Sequence, residues 1–110
     1  MNITLHKNKI YNECCLATMA RMPNDFIDLT VTSPPYDELR TYNNHILGVK
    51  TENNGYTFPF EKIATELFRV TKQGGIVVWI VGDSTIGGNE TGSSFRHALY
   101  FKDCGFNLFD

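Results

Sequence analysis

Ile76-Val77-Val78-Trp79-Ile80-Val81 is an unbroken apolar run, all β-branched but for the one tryptophan, between Gly74-Gly75 and Gly82-Asp83. It is too short for a buried helix and shows no alternation. That pattern predicts a strand buried on both faces of a parallel sheet. Upstream, Phe60 to Val70 places Phe60, Ile63, Ala64, Leu67 and Phe68 on one helical face, with Lys72-Gln73-Gly74-Gly75 as its basic end and glycine stop. Phe26 to Thr32 is β-rich and ends abruptly at Ser33-Pro34-Pro35, because proline cannot donate to a ladder.

The flanks extend the alternation. Cys15 to Met22 carries Leu16, Met19, Ala20 and Met22 at helical spacing and stops at Pro23-Asn24. Ser94 to Asp103 reads as another helix, with Phe95, Ala98, Leu99 and Phe101 as candidates to face inward. Ile3 to Tyr11 predicts a short strand or hairpin, and Phe106 to Phe109 the start of a further strand. The stretches 37–57 and 84–93 are polar and read as loops. The longer one is of the kind that carries function. Strands alternating with helices around an apolar central strand predict an α/β sheet flanked by helices. Ligands of such sheets sit beyond the carboxyl ends of the strands, where Ser33–Tyr36 and Gly82-Asp83 both fall.

The chain has 110 residues, 42% of them hydrophobic and 20% charged, enough for one domain or part of one. A formal charge of −2 excludes a global basic footprint, so any nucleic-acid contact must be local. Three cysteines, Cys14, Cys15 and Cys104, lack CxxC spacing, which argues against a zinc site or a disulfide framework and predicts no bound metal. No apolar run approaches a bilayer span and no signal-peptide pattern opens the chain, so a cytoplasmic protein without membrane contact is expected.

The chemistry centres on Thr32-Ser33-Pro34-Pro35-Tyr36. Two prolines fix the backbone and remove two N–H donors, leaving carbonyl oxygens free to accept. A hydroxyl precedes them and an aromatic ring follows. Such a cluster of acceptors beside a stacking platform suits a planar ligand with an amino group, such as cytosine or adenine.

The run Asp28-Leu-Thr-Val-Thr-Ser-Pro-Pro-Tyr36 resembles the (D/N/S)PP(Y/F/W) motif of DNA methyltransferases that modify exocyclic amino groups. The approach, Tyr11-Asn12-Glu13-Cys14-Cys15-Leu16 followed by Met22-Pro23-Asn24 and Ile27-Asp28-Leu29, is similar to that family's, as are the helix and strand downstream. The resemblance implies a partial Rossmann-like sheet that uses S-adenosylmethionine. Its substrate would be double-stranded DNA with a flipped target base, in a restriction-modification setting. Ser33, Pro34, Pro35 and Tyr36 would be catalytic, and no covalent cysteine intermediate is implied.

Serine in the first motif position leans towards N4 of cytosine over N6 of adenine. Glu13, with Cys14 beside it, stands where the family carries a cofactor-contacting acid, although the family's Gly-Asp is here Asn12-Glu13. Asp83 would line the pocket floor. Among Arg40, Lys50, Arg96, His97 and Lys102, Arg40 is the best placed for a phosphate, with Tyr42 a candidate to stack on a base. The family's D-x-F-x-G-x-G cofactor loop is not found in residues 1–110, nor is a target-recognition region. The chain therefore reads as the N-terminal, catalytic-motif part of a methylase domain, inactive by itself. The alternatives are a non-catalytic remnant that self-associates, for instance as a homodimer through exposed sheet edges, and a methyltransferase acting on an RNA or protein amino group.

Overall fold

The computed structural model describes residues 5–35 and 58–109. Within them the elements run α1 (Cys15–Ala20), β1 (Ile27–Thr32), α2 (Phe60–Val70), β2 (Thr71–Trp79), β3 (Thr85–Ile86), β4 (Asn89–Glu90) and α3 (Ser93–Cys104). β1 and β2 pair in parallel and β3 and β4 form a small antiparallel hairpin. The mixed α/β character expected from the sequence is present. Residues 5–12 and 106–109 hold no strand, and the expected loop 37–57 lies outside the described residues.

α2 is the organising element. Ile63, Ala64, Leu67 and Val70 recur at helical spacing and are all buried, with Glu61 in the first turn and Arg69 in the last, each favourable to the helix dipole. The chain leaves α2 directly into β2. Thr71 is already extended, and its buried hydroxyl donates back to the Leu67 carbonyl, satisfying one of the orphan acceptors at the helix end. Lys72-Gln73-Gly74-Gly75 is thus not a helix stop. It forms a bulge within β2: the partner register runs Ile27↔Thr71, then Leu29↔Ile76, so β1 advances two residues while β2 advances five. Gly74 supplies the φ of +80° that this detour requires.

Arg69 ties α1 to α2. Its guanidinium donates to the carbonyls of Met19 (2.7 Å) and Met22 (2.9 Å) and to Asn24 Oδ1 (3.0 Å), while Glu66 holds its Nε at 2.6 Å. A six-residue helix has little stability of its own, so these bonds to its C-terminal end matter. Arg69→Ala should lower the unfolding free energy by about 2 kcal/mol, read as a lower urea midpoint at constant m. Arg69→Lys should recover little, since an ammonium cannot reproduce the planar fork.

The core comprises Met19, Ile63, Ala64, Leu67, Val70 and Phe101, with Ile27, Val77 and Trp79 of the sheet packed against it. α3 presents Ser93, His97 and Phe101 inward. This corrects the expected face: Phe95 and Leu99 are 69% and 61% exposed. The aromatic cluster explains the choice. Phe101 meets Phe60, Trp79 and Phe106 edge-on at centroid distances of 5.3, 5.0 and 5.6 Å, contacts worth more than aliphatic burial alone. Gly105 ends the helix at φ +124°, where a Cβ would lie 2.6 Å from the Phe68 ring.

The sheet departs from expectation in one further respect. Ile76, Val78 and Ile80 are 59%, 39% and 53% exposed, so the described residues cover the apolar run on one face only.

Candidate active site

β1 and β2 end together. Thr32 pairs with Trp79, and the Ile80 amide donates to the Thr32 carbonyl at 2.9 Å. That bond roots the Ser33-Pro34-Pro35 segment at the carboxyl end of the parallel pair. Ser33 is exposed, Pro34 buried and Pro35 half-buried. The serine hydroxyl is therefore accessible on a backbone that the prolines stiffen. The turn opens onto a cleft of about 540 Å³ whose walls include Glu13 and Thr18 beside α1, the length of β1, and Phe58 and Trp79 opposite.

Glu13 and the Ser33-Pro34-Pro35 segment line one cleft. The Glu13 carboxylate accepts from the Thr18 hydroxyl and pairs with Arg21 at 2.7 Å. The hydroxyl bond, then the guanidinium, hold its pKa below the ordinary carboxylate value, so it stands ionised as an acceptor on the wall. Cys14 is placed differently. Its carbonyl accepts from the amides of Ala17 (3.0 Å) and Thr18 (3.2 Å), making it the start of α1. Burial, then the neighbouring Cys14, push the Cys15 thiol up, which disfavours the thiolate a nucleophile would need.

Asp83 serves α3. Gly92 at the helix start has no side chain to cap with, and Asp83 reaches across to do so: Oδ1 accepts from the Ser94 amide (2.9 Å) and Oδ2 from the Ser94 hydroxyl (2.6 Å). Those bonds, the Ser94 hydroxyl first, lower its pKa. The folded value lies below the unfolded one, so the capping contribution is full above about pH 4 and is lost as pH falls through the folded value. Glu13 acts in the same direction. Melts between pH 6 and pH 3 should therefore show a smaller acid-induced loss of stability in Asp83→Asn than in the parent.

Phe58, Trp79 and His97 meet in a group that their sequence spacing does not show. The Trp79 ring lies 6.1 Å from Phe58 and 5.7 Å from Phe60, and its indole N–H donates to His97 Nδ1 at 3.2 Å. His97 is buried and stacks on Phe60 at 3.9 Å. Because an indole only donates, Nδ1 bears a lone pair. His97 belongs to the wall of the aromatic cluster, which corrects its placement among cations near DNA. Arg96 is tied to the Thr91 carbonyl at 2.6 Å. Tyr36, Arg40, Tyr42 and Lys50 lie outside the described residues. Among the described residues no cluster could hold a metal ion, and no helix is long and apolar enough to cross a membrane.

Residues 27–110 match the family model of the N6/N4 DNA methylases. The chain belongs to that family. It is 64% identical over 84 residues to the orphan methyltransferase M.BamHII of Bacillus amyloliquefaciens, a match covering 76% of this chain and 28% of that protein. It is 35% identical over 109 residues to the type II methyltransferase M.SfiI of Streptomyces fimbriatus, covering 83% of this chain and 26% of that one. The methylase segment therefore spans roughly a quarter of the length of the curated relatives it matches. No solved structure gives a significant match. The family implies S-adenosylmethionine as methyl donor, and this chain offers part of a fit: an ionised acid, Glu13, which precedes the matched residues, on an open cleft wall that also carries Ser33–Pro35.

Proposed function

We propose that this chain supplies the base-clamping part of a DNA methyltransferase that modifies exocyclic amino groups, with N4 of cytosine favoured over N6 of adenine. The observation that carries the proposal is the delivery of Ser33-Pro34-Pro35 by β1 into a cleft that Glu13 also lines.

An exocyclic amino nitrogen is a weak nucleophile because its lone pair is delocalised into the ring. Acceptance of its two N–H bonds by the Ser33 side chain and the Pro34 carbonyl holds it nearer sp³ geometry and aims the lone pair outward. S-adenosylmethionine supplies an activated methyl group on sulfonium when bound. Alignment of the amino nitrogen for in-line displacement is this chain's contribution. Glu13 is the residue placed to hold a hydroxyl or amino group of the cofactor. Tyr36 is assigned to stack on the base, which must leave the duplex at a cost of a few kcal/mol. The preference for cytosine rests on the likeness of Ser33, in the first motif position, to the N4-cytosine members of the family.

The test is a chimera in which the matching 84-residue segment of M.BamHII is replaced by its counterpart from this chain. With tritiated S-adenosylmethionine, label should pass to duplex DNA and not to RNA or protein. Label on RNA or protein alone, or an inactive chimera beside an active parent, would refute the assignment.

A further inference from the structure

Glu13 stands just before α1, and two residues one helical turn apart, Thr18 and Arg21, reach back to it. Both take the same atom. The Thr18 hydroxyl donates to Glu13 Oε2, and Arg21 Nη2 pairs with that oxygen at 2.7 Å. Among the described residues nothing donates to Oε1. The alternative partners are poorer: the Cys14 carbonyl lies 3.5 Å from the Thr18 hydroxyl, and the Ala17 carbonyl 3.4 Å from Arg21 Nη1. Arg21 is itself braced, its guanidinium 5.9 Å from the centre of the Tyr11 ring.

The arrangement has a cleft side and a far side. Glu13, Thr18 and Tyr11 line the cleft, whereas Arg21 stands outside its lining. A glutamate side chain has several rotatable bonds, and fixing it only when a ligand arrives costs binding free energy. Anchored through Oε2, Glu13 keeps its second oxygen in one place beforehand, with lone pairs for an incoming N–H or O–H. The ionised state, which Thr18 and then Arg21 secure, makes that acceptor charge-assisted. The Arg21 and Glu13 side chains stay 37% and 31% exposed, and an ion pair so open to water contributes little to stability. The pair is thus better suited to holding an acceptor still than to holding the fold.

Resting on the function proposed above, we infer that Arg21 is a positioning residue of the methyl-transfer site: with Thr18 it anchors Oε2 of Glu13 and so presents Oε1 to a hydroxyl or amino group of S-adenosylmethionine. Arg21 acts through Glu13 and touches no part of the cofactor. Its effect on cofactor binding must therefore vanish once the carboxylate is gone.

The protein for the test is a chimera of M.BamHII that carries all 110 residues of this chain, and the probe is S-adenosylmethionine, titrated by calorimetry without DNA. Arg21→Gln should weaken binding by about tenfold with Tm nearly unchanged. Arg21→Lys should recover part of the loss, since only one oxygen is contacted. Adding Arg21→Gln to Glu13→Gln should cost nothing further, which a purely structural arginine would not show. Should Arg21→Gln fail to fold, Thr18→Val, which removes the other contact to Oε2, takes its place in the same cycle. An affinity within about twofold of the parent, losses that simply multiply in the double variant, unfolding of both replacements, or a folded parent that takes up no cofactor would each overturn the inference. Transfer of label to DNA separates the two proposals. A parent that shows the cycle but labels no DNA keeps the role of Arg21 and removes the function. A parent that labels DNA, beside an Arg21→Gln variant of undiminished affinity, does the reverse.

Discussion

Ser33→Ala, in an active enzyme built around this segment, is expected to lower kcat by about a hundredfold or more, leaving KM for DNA nearly unchanged. The hydroxyl is asked to hold an amino group in a geometry that matters only as the methyl group moves. Its loss therefore falls on the transition state. Removal of one positioned polar partner of developing charge typically costs on the order of 10²–10³ in rate. Ser33 is exposed, so the substitution leaves no cavity and the fold should be intact by circular dichroism. A kcat within about twofold of the parent would show that the hydroxyl takes no part. Tyr36→Ala should behave differently, losing stacking worth about 1–3 kcal/mol per base and weakening the flipped complex as well as its turnover.

The largest expected loss of stability is at Phe101. It is buried between α2 and the end of β2, with Phe60, Trp79 and Phe106 around it. Phe101→Ala removes a ring from the centre of that cluster and leaves a cavity that three stiff neighbours cannot fill. A cost of about 3–5 kcal/mol follows, a large share of a small domain's stability. Calorimetry should show Tm falling by more than about 12 °C. Phe101→Leu, which keeps much of the volume, should lose well under half as much. The same substitution should loosen Trp79 and with it one wall of the cleft, so tryptophan fluorescence should shift to the red.

Local patterns carried most of what could be read from the chain. The existence of α2 follows from the spacing of Phe60, Ile63, Ala64 and Leu67, but its end does not: the chain is already extended at Thr71, before the glycines read as its stop, and Phe68 is exposed. The Ser-Pro-Pro turn at the end of β1 follows from proline's missing donor. What periodicity could not decide was which partner each apolar face would find. Phe95 and Leu99 fit an inward helical stripe as well as Phe101 does, yet the edge-on fit of Phe101 to Trp79 and Phe60 sets the rotation of α3. The Ile76–Val81 run fits a strand covered on both faces, and here the described residues cover only one. Asp83 and His97 illustrate a different limit. Each carries a side chain suited to ligand chemistry, and each meets a partner distant in sequence, Ser94 for one and Trp79 for the other. Neither partnership leaves a trace in spacing. Glu13 was legible only through its likeness in position to the family's acidic residue, and the structure puts it on the cleft that Ser33 also lines.

The most direct measurement is the identity of the methylated nucleoside. Duplex DNA treated with the active chimera and S-adenosylmethionine should be digested and its nucleosides resolved by liquid chromatography and mass spectrometry. N4-methylcytosine, absent when Ser33→Ala is used, is the expected product. Methylation at carbon 5 of cytosine, or a full yield of modified base from Ser33→Ala, would contradict the assignment of Ser33–Pro35 as the clamp of an amino group.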